Sequence, residues 1–263
     1  MAAALFQSLC YNENITVQSA GIAAWPGSPA SAHAITVAAI QDHAAQQVTQ
    51  ELLDQSDRII CLAANHARQA AHYVSQEKLR VLGGGVADPY GGSLDDYQTC
   101  AAQIKAALPS LLPDLTCSAE IIPTEQSHIE AIAQLEQEVF TPAASEAKLR
   151  EKLALSSCHM LTALIKNEVA GFIIVDEIAG EAYIDDLAVS PKFRRQGIAS
   201  KLLGQAEVNA ILRGCEKIHL EARASNHAAR SLYELRGYQT TGTRPNFYQT
   251  PTEDAILMTL PFH

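Results

Sequence analysis

The sequence predicts an α/β protein in two halves, a parallel-sheet half followed by an α+β half with a mixed central sheet. Three observations lead there. The chain has 263 residues, 48 % of them hydrophobic, which exceeds one typical domain and is enough for two cores. Strand-like and helix-like stretches alternate from the N-terminus, the pattern of a parallel sheet flanked by helices. Around "LPDLTCSAE" (112–120) the pattern resets, and hairpin-like strands begin to mix with crossover helices. The boundary is set there, giving domains 1–116 and 117–263.

In the first half, "MAAALFQSL" reads as a helix, with Leu5 and Leu9 four residues apart on one face. "ITVQSAG" is a β-branched run ending at Gly21 and is expected to be a strand. "WPGSPAS" is loop punctuation, followed by a helix over about 32–44. "QELLDQSDRIICLAA" reads as a short helix entering a buried strand, and "QEKLRVLGGG" as a strand ended by three glycines. The loop "DPYGGSLDDY" turns through Gly91 and Gly92 into a helix "LDDYQTCAAQIKAALPSLL".

In the second half, strand "EIIP" precedes a helix with apolar residues at Ile129, Ile132, Leu135 and Phe140. Strands "HMLTALIKN", "EVAGFIIVDEI" and "EAYIDDLAV" follow, and then the helix "GIASKLLGQAEVNAILRG". Strand "KIHLEA", helix "NHAARSLYELRG" with Gly237 as its stop, and strand "DAILMTL" complete the chain.

Composition narrows the function classes. Net charge is −10, from 29 acidic and 19 basic residues. Before residue 119 there are 10 acidic and 5 basic residues, leaving 19 and 14 after it, so each half carries −5. Neither half has the basic balance of a direct nucleic-acid binder. The six cysteines form no CxxC pair and read as reduced, buried thiols of a cytoplasmic protein. No apolar run reaches the roughly 18–20 residues that span a bilayer, so no membrane role is expected. His219 and His227 lack a ligand-spaced partner, and no metal is expected. Oligomeric state is left open by the sequence.

The segment carrying most chemistry is "LAVSPKFRRQGIASKLL" (187–203). A strand ends at Val189, a proline breaks it, and Arg194, Gly197 and Ala199 form an R-x-x-G-x-A pattern opening an amphipathic helix. Small residues there let backbone N–H groups converge at a helix N-terminus, a site for a pyrophosphate-bearing ligand. Together with "LEARASNHAARSLYELRGY" and "RPNFYQTPTEDAILM", this segment resembles the GNAT acetyltransferase superfamily. Within it, residues 120–263 are similar to the ribosomal-protein-alanine N-acetyltransferases (the RimI type).

The resemblance implies acetyl-CoA as co-substrate and direct acetyl transfer to the α-amine at the N-terminus of a ribosomal protein. In "KIHLEA" the two-residue period puts Ile218 and Leu220 on one face and His219 and Glu221 on the other. By resemblance Glu221 is the general base, and Tyr233 the general acid that protonates the departing thiolate. Leu187, Ala188 and Val189 would align the thioester arm. Arg195, Gln196, Gly197, Ile198, Ala199 and Ser200 would form the pyrophosphate cradle, with Asn226 a further cofactor contact. Asp185 and Asp186 receive no acid/base role, because adjacent strand residues face opposite ways. One departure stands out. Relatives carry a tryptophan in the loop after the first helix, where "VFTPAASEAKL" has Ala143 and Ala144. Asn246 and Tyr248 of "RPNFYQ" are kept. Acetylation of a lysine or a small-molecule amine is the alternative.

Residues 1–112 resemble the low-molecular-weight protein tyrosine phosphatases and their arginine-phosphatase relatives, through "MAAALFQSL", "VQSAGIAAWPGSPAS", "SDRIICLAANHARQA" and "DPYGGSLDDY". There the Asp-Pro aspartate, here Asp88, is the general acid, and the nucleophile is a cysteine in a C-x5-R loop. Six residues after each cysteine stand Thr16, Ala67, Ala106, Pro123, Leu164 and Glu221, and none is arginine. Cys61 has Arg68 seven residues on but lies in an apolar strand and reads as core. The phosphatase-like half is therefore expected to be truncated before its first strand and phosphate loop, and inactive. Two further alternatives follow from it: a phosphatase whose catalytic N-terminus lies upstream, or a module recruiting a phosphorylated partner.

Overall fold

A computed structural model describes residues 1–10, 15–40 and 43–263. The backbone divides into two compact units, residues 1–109 with His263, and residues 110–262.

The N-terminal unit is helical around a small parallel sheet. Helices α1 (Ala2–Leu9), α2 (Ala32–Ala38) and α3 (Gln50–Gln55) precede strand β1 (Ile59–Cys61). Helix α4 (Ala64–Ala70), strand β2 (Leu79–Val81) and helix α5 (Leu94–Ala107) follow. β1 and β2 pair in parallel, Ile59 against Leu79 and Cys61 against Val81. The expected strand "ITVQSAG" does not form. Its one bridge joins Gly21 to Gln47, because no neighbouring strand among the described residues offers it a ladder. The expected helix over 32–44 stops early at α2, where Ala39 turns left-handed at φ 48°; residues 41–42 lie outside the described residues. The start of α5 is set by local chemistry. Ser93 Oγ accepts the Asp96 N–H, while the Asp96 carboxylate accepts the Ser93 N–H at 2.7 Å, a reciprocal cap.

The C-terminal unit begins with α6 (Leu111–Thr116) and β3 (Glu120–Pro123). Helices α7 (Ile129–Val139) and α8 (Glu146–Leu153) precede strands β4 (Cys158–Ile165), β5 (Glu168–Ile178) and β6 (Glu181–Val189). Then come α9 (Ile198–Leu212), β7 (Lys217–Arg223), α10 (His227–Leu235), β8 (Gln239–Gln249) and β9 (Thr252–Pro261). The seven strands form one sheet in the order β3-β4-β5-β6-β7-β9-β8, antiparallel except for β6–β7. One face packs on α9 and α10 through Ile173, Val175, Ile184, Leu220 and Leu202. The other packs on α7 and α8 through Phe172, Ile174, Ala188 and Leu149. Four elements escaped the sequence reading: α4, most of α6, α8 and β8. β8 is a polar, mostly exposed edge strand, so it carries no apolar alternation to betray it.

Two irregularities shape the sheet. β6 and β7 pair only from Ala182–Ile184 against Ile218–Leu220, then part, leaving Leu187–Val189 unpaired on the β7 side. A bulge at Asp185 shifts the β5–β6 register between Ile174–Asp186 and Val175–Ile184. Ile184 therefore faces α9, while Asp186, two residues on, shares the α7 face with Ala188.

Candidate active site

Where β6 and β7 separate, the unpaired backbone of Leu187, Ala188 and Val189 lines an opening in the sheet. Val189 leads through Ser190 and a one-turn 3-10 helix (Pro191–Phe193) into the loop ahead of α9. Arg195 and Gly197 take positive φ angles of 65° and 81°, and Gly197 is the N-cap of α9. Its glycine is required twice. The left-handed backbone disfavours any side chain, and a Cβ there would collide with the Pro113 carbonyl of α6. Among the described residues the backbone N–H groups of Arg195, Gln196, Gly197, Ile198, Ala199 and Ser200 have no acceptor. Such a run at a helix N-terminus, beside the exposed Arg194 and Arg195, is what a pyrophosphate needs. Ser200 offers only its N–H, since its buried hydroxyl donates to Ser110 O at 3.1 Å and accepts from Arg236 at 3.2 Å. Asn226 caps α10, its Oδ1 accepting the Ala229 N–H at 3.2 Å, which leaves its amide nitrogen for other contacts.

Tyr233, on α10, is 7 % exposed, within the α9-side core. Its ring lies 5.7 Å from that of Tyr238. Burial first, then the field of Tyr248, pushes its phenol up to about 12, so it carries its proton at neutral pH, as an acid must.

Glu221 lies on β7 with its side chain opposite the Ile218–Leu220–Ala222 face, as its spacing predicts. It forms an ion pair with Arg244 of β8 at 3.0 Å, and Arg244 stacks on Phe247 at 4.8 Å. Sequence reading missed Arg244, whose partner is 23 positions away across an intervening strand. The tip of the β8–β9 hairpin is fastened by Arg223. Its guanidinium sits 4.2 Å over the Tyr248 ring, pairs with Glu253 at 3.3 Å, and donates to the carbonyls of Thr250 and Pro251. Tyr248 thereby reaches the neighbourhood of both Glu221 and Asp186, whose charges help raise its pKa after burial.

In the N-terminal unit, Asp88 is exposed and its Oδ1 accepts the Tyr90 N–H at 3.0 Å, a local turn. Cys61 is buried, its thiol pushed up to about 12 by desolvation, which marks an inert core thiol. Among the described residues no group of three or more His, Cys, Asp or Glu is placed to hold a metal ion, and no helix is long and apolar enough to cross a membrane.

Comparison with known proteins agrees with this geometry. Residues 129–238 match the acetyltransferase (GNAT) family, and residues 1–121 match the low molecular weight phosphotyrosine protein phosphatase family. The [ribosomal protein bS18]-alanine N-acetyltransferase of Escherichia coli K12 is 40 % identical over 96 residues, 36 % of this chain and 65 % of the relative, so the match spans just under two thirds of that protein. The crystal structure of the ribosomal-protein-S18-alanine N-acetyltransferase from Escherichia coli superposes with TM-score 0.51 at 30 % identity, covering 55 % of this chain and 94 % of the other. The protein-arginine-phosphatase of Bacillus subtilis is 32 % identical over 130 residues, 44 % of this chain and 87 % of that protein. The chain belongs to the GNAT acetyltransferase family through its C-terminal unit and to the low-molecular-weight phosphatase family through its N-terminal one.

Proposed function

We propose that the C-terminal unit transfers an acetyl group from acetyl-CoA to the α-amine of a protein N-terminus, with an alanine-initiated ribosomal protein as acceptor. The observation that carries this is the opening between β6 and β7, with Glu221 following the last residue of β7 paired to β6 and the run of free amides at α9 continuing from its β6 side. Acetyl-CoA supplies an acetyl thioester whose carbonyl carbon is open to attack by an amine. The amides of Arg195–Ser200 hold the pyrophosphate, and the free edge of Leu187–Val189 aligns the thioester arm. Glu221 takes a proton from the acceptor ammonium, directly or through one water. A free α-amine has a pKa of about 7.7–8.0, so the base removes that proton at modest cost near neutral pH. As the C–N bond forms and the C–S bond breaks, Tyr233 donates its phenolic proton to the departing sulfur, and the nitrogen's second proton leaves through water, restoring the phenol. Holding amine and thioester together contributes much of the rate.

Similarity to the bS18-alanine acetyltransferases supports the acceptor, and the resemblance of "RPNFYQ", with Asn246 and Tyr248, to the family's peptide-facing segment favours a peptide over a small amine. In this reading the phosphatase-like unit adds no hydrolysis, since no cysteine stands six residues before an arginine, and the Cys61 and Cys100 thiols are raised chiefly by burial. The test is mass spectrometry of intact alanine-initiated ribosomal-protein peptides incubated with the full chain and acetyl-CoA. A 42 Da gain on the α-amine is expected, the mass of one acetyl group replacing one hydrogen, about the ordinary acylation product. Acetylation of polyamines or lysine side chains with α-amines untouched would replace this acceptor with another.

A further inference from the structure

The bulge at Asp185 has a chemical effect. Without it, Asp186 would point to the α9 side with Ile184; with it, Asp186 lies beneath α7, on the face that carries Glu221. There it meets Glu136 in the last turns of α7. Glu136 is 1 % exposed. Its Oε2 accepts the Ala144 N–H at 3.1 Å from the loop between α7 and α8, and its Oε1 is buried with no hydrogen-bond partner. Asp186 likewise has neither a hydrogen bond nor an ion pair among the described residues. The nearest cation is already taken: Lys152 of α8 pairs with Asp176 at 2.8 Å and Asp185 at 2.5 Å.

A buried carboxylate oxygen without a donor is costly; Glu136 Oε1 is such an oxygen, and the half-buried Asp186 carboxylate lies within its field. What is missing is a compact cation with several N–H donors. We propose that Glu136 and Asp186 form the seat of the acceptor's ammonium group, holding it on the β6 side of the opening while Glu221 faces it from β7. The proposal rests on the reading of the unit as an amine acetyltransferase and names the part that recognises the amine. The nitrogen enters as R–NH3+. One proton passes to the Glu221 carboxylate, freeing the lone pair that attacks the thioester.

Electrostatics is consistent with a seat that carries a proton on Asp186 near neutral pH. Asp186 is pushed up to about 7 by burial, then by the charges of Glu136 and Asp185, against the weaker opposing fields of Lys152 and Lys148. Glu136 is raised too, chiefly by burial, with Asp185 adding to this and the Ala144 N–H and Lys148 opposing it. Tyr248 is the remaining titratable group facing Asp186 from the hairpin. A cation entering the seat favours the ionised carboxylate and so expels the proton held on Asp186.

Calorimetry of L-alaninamide binding to the full chain at pH 6.5, in two buffers of different ionisation enthalpy, reads that proton directly. Wild type should bind with release of about half to one proton, the fraction set by a group titrating near 7. Asp186→Asn should bind about tenfold or more weakly and release none, whereas Asp186→Glu should restore release. Acetyl-CoA affinity and thermal unfolding, measured alongside, show whether each variant is folded. No binding to wild type, binding without proton release, or unchanged release in a folded Asp186→Asn would overturn the seat. If alaninamide binds with proton release but peptides are not acetylated, the acceptor reading fails and the seat stands. If Asp186→Asn acetylates alanine-initiated peptides with unchanged KM, the seat fails and the acceptor reading stands.

Discussion

Replacing Glu207 by glutamine tests the electrostatics beneath the cradle. Arg236 is buried, and its guanidinium forms a two-point pair with Glu207, Nε to Oε1 at 2.9 Å and Nη2 to Oε2 at 2.5 Å, with side chains 3 % and 4 % exposed. Its third contact is Ser200 Oγ, and the field of Asp114 on α6 also favours the cation. The amide keeps the shape of the carboxylate but removes its charge and one acceptor, leaving a buried guanidinium with only Asp114 to offset it. Breaking such a pair from one side costs about 3–5 kcal/mol, because the remaining charge stays desolvated. The assay is urea unfolding of the full chain followed by far-UV circular dichroism. Fluorescence of the single tryptophan will not serve, since Trp25 lies in the N-terminal unit. Because Arg236 also holds the Ser200 hydroxyl, acetyl-CoA affinity should fall with stability. A loss below about 1 kcal/mol would refute the reasoning, as would failure of the Glu207→Met, Arg236→Met double variant to recover most of what Glu207→Gln loses.

Gly197→Ala should weaken acetyl-CoA binding at least about tenfold in equilibrium dialysis, since it places a Cβ at φ 81° against the Pro113 carbonyl, where the left-handed backbone alone costs roughly 1–2 kcal/mol. Tyr233→Phe and Glu221→Gln should each lower kcat by about 10²–10⁴-fold in a thiol-release assay while leaving the circular dichroism spectrum intact; near-wild-type turnover would remove either role. Stability of the C-terminal unit should fall as pH rises from about 4 to 7. Asp186 ionises near 4 when unfolded and at about 7 when folded, so the unfolded state binds fewer protons in that window and is favoured by rising pH. Asp186→Asn should flatten that slope, seen as a smaller drop in denaturation midpoint between pH 5 and pH 7 on the order of 2 kcal/mol.

Much of this was legible in the sequence, and the illegible parts share a cause. The alternation of Ile218, Leu220 and Ala222 placed Glu221 on the open face, because a strand's period holds wherever its ladder is regular. The same rule could not place Asp185 and Asp186, since one extra residue in β6 reverses the facing of everything after it and leaves no mark in composition. Gly197 was readable from its motif. Arg244, Glu136 and Arg236 were not, because their partners arrive from other elements through the sheet order. "ITVQSAG" had strand propensity but only one bridge, at Gly21, and β-structure is a property of paired strands.

The fastening of the hairpin by Arg223 bears on how selectivity could be tuned. One guanidinium secures Tyr248, Glu253 and two loop carbonyls together, and Glu253 in turn accepts the Ser225 N–H ahead of α10. On the acceptor proposed above, the aromatic arm would be stiffened before a peptide arrives, and less ordering entropy would be lost on association. Changes at Phe247 or Tyr248 would alter which side chains the arm prefers. A change at Arg223 would loosen the whole arm at once, weakening every acceptor alike and erasing discrimination without touching the transfer step.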